Sequence, residues 1–299
     1  MRGLASGERG RRIVRALPYA WLLLFCLAPF LIVFKISFAE FRLSMPPYGP
    51  LFESLAGGAT EWHATLASYR FLLSDSLYAS ALAYSVKVAG VSTLFCLLLA
   101  YPMALGIARA RPGRRQLLLM MVVLPFWTSF LLRVYAWIGL LKQNGVINSL
   151  LESLGLIHEP LAMMNTGSAV YVGIVYTYLP FMILPLYANL EKHDPSLLEA
   201  AADLGARPFQ AFLRVTLPLS RPGIIAGAML VFIPAVGEYV IPSLLGPTDQ
   251  LMIGRVLSDE FFSNADWPVS SALAVALLLL LLAPILLLQR YQARNGEAA

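Results

Sequence analysis

Six apolar runs, each long enough to cross a hydrocarbon layer, constrain this chain more than any other feature; they lie near 17–38, 77–108, 117–140, 169–190, 223–245 and 269–289. A helix crosses about 30 Å of hydrocarbon with about 20 apolar residues. Backbone amides in lipid have no water to bond, so each run is expected to be a helix rather than an open strand. Composition agrees: 59 % of the 299 residues are hydrophobic and 13 % charged, against roughly 25 % charged in ordinary soluble domains. The expected fold class is an all-α membrane protein with six transmembrane helices. The run after Arg15 is too long for a cleavable signal and lacks an A-x-A site, so it is expected to remain as the first span.

Orientation follows from the basic residues. Arg2, Arg9, Arg11, Arg12 and Arg15 precede the first span, and Arg109, Arg111, Arg114 and Arg115 join the second to the third. Lys192, Arg207, Arg214 and Arg221 join the fourth to the fifth, and Arg290 and Arg294 follow the sixth. These fifteen face only Arg42, Arg70, Lys142 and Arg255 on the other side. The excess assigns a basic tail (1–16), the loop 191–222 and the C-terminal tail (291–299) to the cytoplasm, with a membrane core over 77–290. The first outer loop, 39–76, carries Pro46-Pro47, Gly49-Pro50 and Gly57-Gly58 and is expected to be irregular with short helices. The outer loops are net acidic, with Asp249, Asp259, Glu260 and Asp266 in the last. Such a surface is either simply solvated or attractive to a cation.

Several chemistries lack their residues. Cys26 and Cys96 lie inside apolar runs, so neither a disulfide framework nor a metal cluster is expected. No Gly-Lys pair exists to form a nucleotide-phosphate loop, and His63, His158 and His193 fall in loops without a serine or carboxylate at recognisable spacing. A catalytic role, a metal and a cofactor within this chain are therefore not expected. Nucleic acid is excluded as a partner because Lys192, Arg207, Arg214 and Arg221 are balanced by Glu191, Asp194, Glu199 and Asp203.

The polar interval 194–218 reads as two short helices bent at a glycine. Asp194 is placed to cap, Pro195 to occupy the first helical position, and Ser196 with Glu199 has capping-box spacing. Gly205 supplies a stop. Pro208 opens a second helix with Phe209, Phe212 and Leu213 on one face, and Pro218 is expected to end it. The order Glu199-Ala200-Ala201, three residues, Gly205, nine residues, Val215, one residue, Leu217-Pro218 resembles the EAA loop of ABC importer permeases, with valine where the pattern prefers isoleucine. The resemblance implies that this loop docks into a groove on a cytoplasmic ATPase, with Glu199, Ala200, Ala201, Gly205, Phe209, Phe212, Leu217 and Pro218 as coupling residues.

Charged groups inside the spans point to function, because they are costly there and face a partner or a water-filled path. Glu238, Arg133 and Lys87 lie at comparable depth in the outer half of the fifth, third and second runs. Two readings stand: Glu238 pairs with Arg133 or Lys87, or it faces a cavity and attracts a cation. Trp127, Tyr135, Tyr176, Tyr178 and Tyr239 carry ring faces suited to an ammonium, or serve as packing and interface anchors. Pro102, Pro180, Pro185, Pro234 and Pro242, with Gly237, predict bent helices. Gly223 and Gly227 form a small-residue pair for close packing.

The runs Leu124-Pro125-Phe126-Trp127-Thr128-Ser129, Leu179-Pro180-Phe181-Met182, 232–242 and Met252-Ile253-Gly254-Arg255-Val256-Leu257, with Asp266-Trp267-Pro268, are similar to the first permease subunit of bacterial polyamine importers, nearest the putrescine branch. That resemblance implies a type I importer permease fold in the inner membrane. It implies a heterodimer with a second permease, two copies of an ATPase that binds ATP and Mg, and a periplasmic polyamine-binding protein. Rival expectations are a permease for another solute, such as an amino acid or iron, and an ion-driven secondary transporter.

Overall fold

Prolines and glycines decide which apolar runs become straight helices in the computed structural model, which describes residues 14, 16–54 and 60–296. Most of the basic N-terminal tail, Gly57-Gly58 and the last three residues lie outside the described residues. In chain order the elements are α1 (Ala16–Ile36), β1 (Phe52–Ser54), β2 (Thr60–Trp62), α2 (Ala67–Ser74), α3 (Ser76–Ala108) and α4 (Pro112–Trp127). Then follow α5 (Phe130–Leu141), α6 (Val146–Ser153), α7 (Gly167–Leu190), α8 (Ser196–Asp203), α9 (Pro208–Leu219) and α10 (Arg221–Val236). The last are α11 (Val240–Leu245), α12 (Ile253–Ser258) and α13 (Trp267–Gly296).

Four helical stretches, Ala16–Ile36, Ser76–Ala108, Gly167–Leu190 and Trp267–Leu286, are long and apolar enough to cross a membrane. Two runs expected to be single helices are broken. The third is α4 followed by α5, with a 90° bend between Pro112–Trp127 and Phe130–Ser153. Pro125 tightens the end of α4 into a 3-10 turn, and Thr128 adopts an extended backbone before α5 begins. The fifth run stops at Val236 and resumes at Val240, while α9 and α10 meet at 64°. Counting each of the two bent pairs as one span gives up to six spans.

Pro218 does not end its helix as expected. A π-turn over Phe212–Thr216 precedes it, and the helix runs on through Leu219. The wider turn relieves the clash that a proline ring makes with the carbonyl four residues back. The same device occurs in α1, where the π-turn Leu23–Leu27 precedes Pro29. The first outer loop is also more ordered than expected: β1 and β2 pair antiparallel with Phe52 opposite Trp62, their rings 5.1 Å apart.

The chain divides into two units, each with its own packing: Met1–Ala79 with Leu257–Pro284, and Ser80–Val256 with Ile285–Ala299. In the first unit the Tyr69 hydroxyl donates to Ser37 Oγ at 2.8 Å, and Ser37 donates to the Phe34 carbonyl, fixing α2 against the end of α1. Tyr78 donates to Glu260 at 2.7 Å, and Phe261 stacks on Trp267. Asp266 caps α13 by accepting the Val269 N–H at 3.0 Å.

The second unit is organised by α7 and α10. Gly227 lets α10 close on Met182, where a Cβ would lie 2.7 Å from the sulfur, and Gly223 lies as tightly against Asn189. Around this seam Cys96, Ala100 and Ala104 of α3 join Met182, Ile183, Leu186 and Val231 in the core. Without a hydrophobic drive between helices in lipid, backbone approach through small residues is what dispersion packing requires.

Candidate functional site

Two regions of the second unit carry the predicted site residues, and local chemistry explains each. In the loop 194–219, Asp194 Oδ1 accepts the Ser196 N–H at 2.9 Å, which starts α8 and holds the Asp194 carboxyl below the usual carboxylate range. Helix α8 ends in a Schellman arrangement. Ala206 N–H donates to Ala201 O at 3.0 Å and Gly205 N–H to Ala202 O at 2.8 Å, with Gly205 at φ +79°. The next helix starts where Gln210 Oε1 accepts the Arg207 N–H at 3.1 Å.

The residues expected to couple divide by direction. Phe209 is 70 % exposed and Leu204, which sequence reasoning passed over, is 90 % exposed. Glu199 and Ala200 are exposed and Ala201 half-buried. Phe212 and Leu217 instead turn inward onto the core, with the Phe212 ring edge-on to Tyr101 at 5.5 Å. The Tyr101 hydroxyl lies 2.8 Å from Ser220 Oγ, which anchors the bend between α9 and α10. Arg115 ties α4 to this end of the unit by an ion pair with Glu191 and a 3.1 Å bond to the Ala108 carbonyl.

The second region is the break in the fifth run. Gly237 ends α10, and Glu238 folds back over the start of α11. Its Oε1 accepts the Val240 N–H at 3.1 Å and, more weakly, the Ile241 N–H at 3.4 Å. Its Oε2 accepts the Tyr178 hydroxyl at 2.5 Å. The first of the two readings, a pairing of Glu238 with Arg133 or Lys87, is absent among the described residues. A phenol and backbone amides take the role assigned to a cation, because a helix restarting in lipid leaves N–H groups that need an acceptor. Arg133 instead lies over two rings, its guanidinium carbon 5.0 Å from the Phe126 centroid and 5.8 Å from that of Phe130. Lys87 is exposed on α3.

Of the predicted path residues, Tyr178 touches Glu238 and Tyr239 adjoins it, 44 % exposed. Tyr176 packs on Trp137 at 5.4 Å, while Trp127 and Tyr135 are 77 % and 56 % exposed. Tyr176 and Trp137 also line an apolar cleft of about 910 Å³ that has no carboxylate in its wall. Sequence reasoning missed the links from Arg133 to Glu238. Phe126 meets Phe181 edge-on at 5.3 Å, and Phe181 lies 6.0 Å from Tyr178. Both phenylalanines sit in Leu-Pro-Phe triplets, a repeat that was there to be noticed. It also missed Asn148, fully buried, which donates to the Gln143 and Leu161 carbonyls and accepts the Leu161 N–H, closing the segment between α5 and α7.

Comparison with known proteins accords with this architecture. Residues 3–295 match the family described as "Binding-protein-dependent transport system inner membrane component". The spermidine/putrescine transport system permease protein PotB of Haemophilus influenzae is 40 % identical over 274 residues, covering 91 % of this chain and 90 % of that protein. The protein of the same name from Escherichia coli is 44 % identical over 213 residues, 71 % of this chain and 77 % of that one. Among solved structures, a chain of a bacterial alginate ABC transporter, in complex with an alginate-pentasaccharide-bound periplasmic protein, superposes with a TM-score of 0.72. At 17 % identity, with 99 % of this chain and 98 % of that one covered, this shows a shared fold. The chain belongs to the binding-protein-dependent transport system inner membrane component family, as a multi-pass permease subunit of the inner membrane and not an enzyme.

Proposed function

We propose that this chain forms half of the translocation path of an ATP-driven polyamine importer. The observation that carries the reading is the 40 % identity, across nine-tenths of both chains, to a permease named for spermidine and putrescine transport. In this reading a second permease completes the path, a periplasmic binding protein delivers the solute, and two copies of a cytoplasmic ATPase bind ATP and Mg. Both termini and the loop 194–219 face the cytoplasm. The exposed Leu204 and Phe209 enter a groove on the ATPase, and closure of the ATPase pair rocks the helices through α9 and its bend into α10.

At the break in the fifth run, Glu238 is the carboxylate that a di- or polyamine cation meets. Broken helices within the membrane are where transporters place their solute contacts. In the conformation described both carboxylate oxygens are engaged, so passage requires Tyr178 to yield its bond to the incoming ammonium. Weak, exchangeable contacts suit a protein that must release what it receives.

Reconstituting the complex in proteoliposomes tests this. ATP-dependent uptake of labelled spermidine and putrescine, competed by amino acids and by ferric chelates, is expected to respond only to polyamines. Putrescine is expected to be carried, following the resemblance of the span motifs to that branch. Uptake on a proton or sodium gradient without ATP would overturn the reading.

A further inference from the structure

Glu238 is held from a third side, by a segment that neither the coupling loop nor the tyrosine explains. Met252 and Ile253 are fully buried, and Val256 nearly so, in a strap that passes beside the break in the fifth run. Ser85 of α3, itself fully buried, fixes the strap: its Oγ accepts the Ile253 N–H at 2.7 Å. This seats Gly254 on the unwound backbone. A Cβ at position 254 would lie 2.8 Å from the Glu238 carbonyl oxygen and closer still to that of Gly237.

Both opposing atoms are backbone, so no side-chain rotation relieves the contact. Gly254 has no left-handed φ, so space alone explains the glycine. Any larger residue must push back either the strap or the Gly237–Tyr239 backbone. The Tyr178–Glu238 bond is 2.5 Å long, and charge-assisted O–H···O bonds lie at about 2.5–2.7 Å. A displacement of half an ångström therefore stretches it to about 3.0 Å, the long end of the O–H···O range, and weakens it.

We propose that Gly254, seated by Ser85, is a positioning residue for Glu238, setting where the carboxylate stands when the cation reaches it. This rests on the reading that Glu238 lies on the solute path. The strap and the break then act as one part, and solute preference depends on a residue that never meets the solute.

The test uses the full reconstituted complex with labelled spermidine and putrescine, and compares Gly254→Ala, Ser85→Ala, Glu238→Gln and the double variant G254A/E238Q. Gly254→Ala is expected to raise KM about tenfold, with a smaller change in kcat and a shifted spermidine-to-putrescine ratio. Ser85→Ala is expected to act in the same direction by about threefold. In the Glu238→Gln background Gly254→Ala is expected to change KM by less than about twofold, because the carboxylate it positions is gone.

Full additivity of the two changes, or an unaltered KM and solute ratio in Gly254→Ala, overturns the proposal. If Gly254→Ala fails to assemble, Ser85→Ala decides, and wild-type kinetics there overturn it. Glu238→Gln with wild-type kinetics instead overturns the path reading itself. The two failures are therefore distinct.

Discussion

The loop 194–219 and the break at Gly237–Tyr239 are both helix–glycine–helix bends, yet they are built in opposite ways. The loop closes on itself: Asp194, Gln210 and the carbonyls of Ala201 and Ala202 satisfy its helix ends from within a few residues. It leaves Leu204 and Phe209 facing outward. The break needs help from a distance, since Tyr178 lies sixty residues from Glu238 and Ser85 168 residues from Ile253. Glu238 itself is 8 % exposed. A bend near water can be capped locally and keep an apolar face for a partner. At the break Glu238 caps the amides of Val240 and Ile241 locally, but in lipid the capping carboxylate must itself be bound from another helix, because a polar group there has no solvent to fall back on.

The sharpest way to break this contrast is Glu238→Ala. The substitution leaves the Tyr178 hydroxyl and two amides without their acceptor in a buried site. At about 1–3 kcal/mol for each buried unsatisfied group, the expected loss is at least about 3 kcal/mol. Thermal unfolding of the purified complex, followed by size-exclusion fluorescence, should show a lower midpoint and less assembled material. Glu238→Gln keeps one carbonyl acceptor and should lose less than half as much.

The two bends also differ in how far the sequence discloses them. Asp194, Gly205 and Pro208 are local signals within fifteen residues, and the helix bounds Ser196–Asp203 and Pro208–Leu219 lie where those signals point. Pro218 misled, because the π-turn that accommodates it depends on the backbone upstream and leaves no residue pattern. Phe212 misled too: a helical face shared with Phe209 says nothing of whether Tyr101, more than a hundred residues away, is waiting for it. The break at Glu238 was legible as a Pro-Gly-Glu-Pro neighbourhood but not as a structure. Depth alone left a salt bridge with Arg133 or Lys87 beside a cavity-facing carboxylate, whereas the observed partners depend on the break itself exposing the amides of Val240 and Ile241. Helix existence follows from hydrophobic length, but long-range acceptors follow only from packing.

Phe209→Ala and Phe212→Ala sharpen the comparison at the loop, since the two rings stack at 6.4 Å but one is exposed and the other packs on the core. Phe209 is 70 % exposed in this chain, so its loss should leave the subunit's own stability unchanged. Burying such a ring on docking contributes about 2 kcal/mol. Titration of the ATPase onto the permease pair should show about thirtyfold weaker association. Phe212→Ala should lower the unfolding midpoint instead, because that ring packs on Tyr101 and the core. A matching pattern for the two variants would show that the loop has no distinct outer face.

Gly205→Ala should act more gently and on a different quantity. Nothing lies within 4 Å of a Cβ built there, so no clash contributes, and the penalty is the left-handed φ of +79° alone, about 1–2 kcal/mol. The complex should assemble while more ATP is hydrolysed per solute imported. Normal stimulated uptake by the variant would show that the angle between α8 and α9 does not transmit the stroke.

The smallest effect belongs to Asp194→Asn. Asparagine also accepts the Ser196 N–H, so the turn survives and only the charge at the start of α8 is lost. The carboxyl's folded value lies below its ordinary one, lowered first by the backbone N–H of Ser196. A depressed carboxylate contributes stability above its unfolded pKa and loses that contribution as pH falls through the folded value. The protection factors for amide hydrogen exchange along Ser196–Asp203, which correct for the slowing of intrinsic exchange in acid, should therefore fall on acidification through the lower carboxylate range in the parent and not in the Asn variant. Because the group is exposed and the helix short, the change should stay within α8. Glu238 and Tyr178 should exchange as before, since a locally capped bend has no acceptor in common with one that is held from across the bundle.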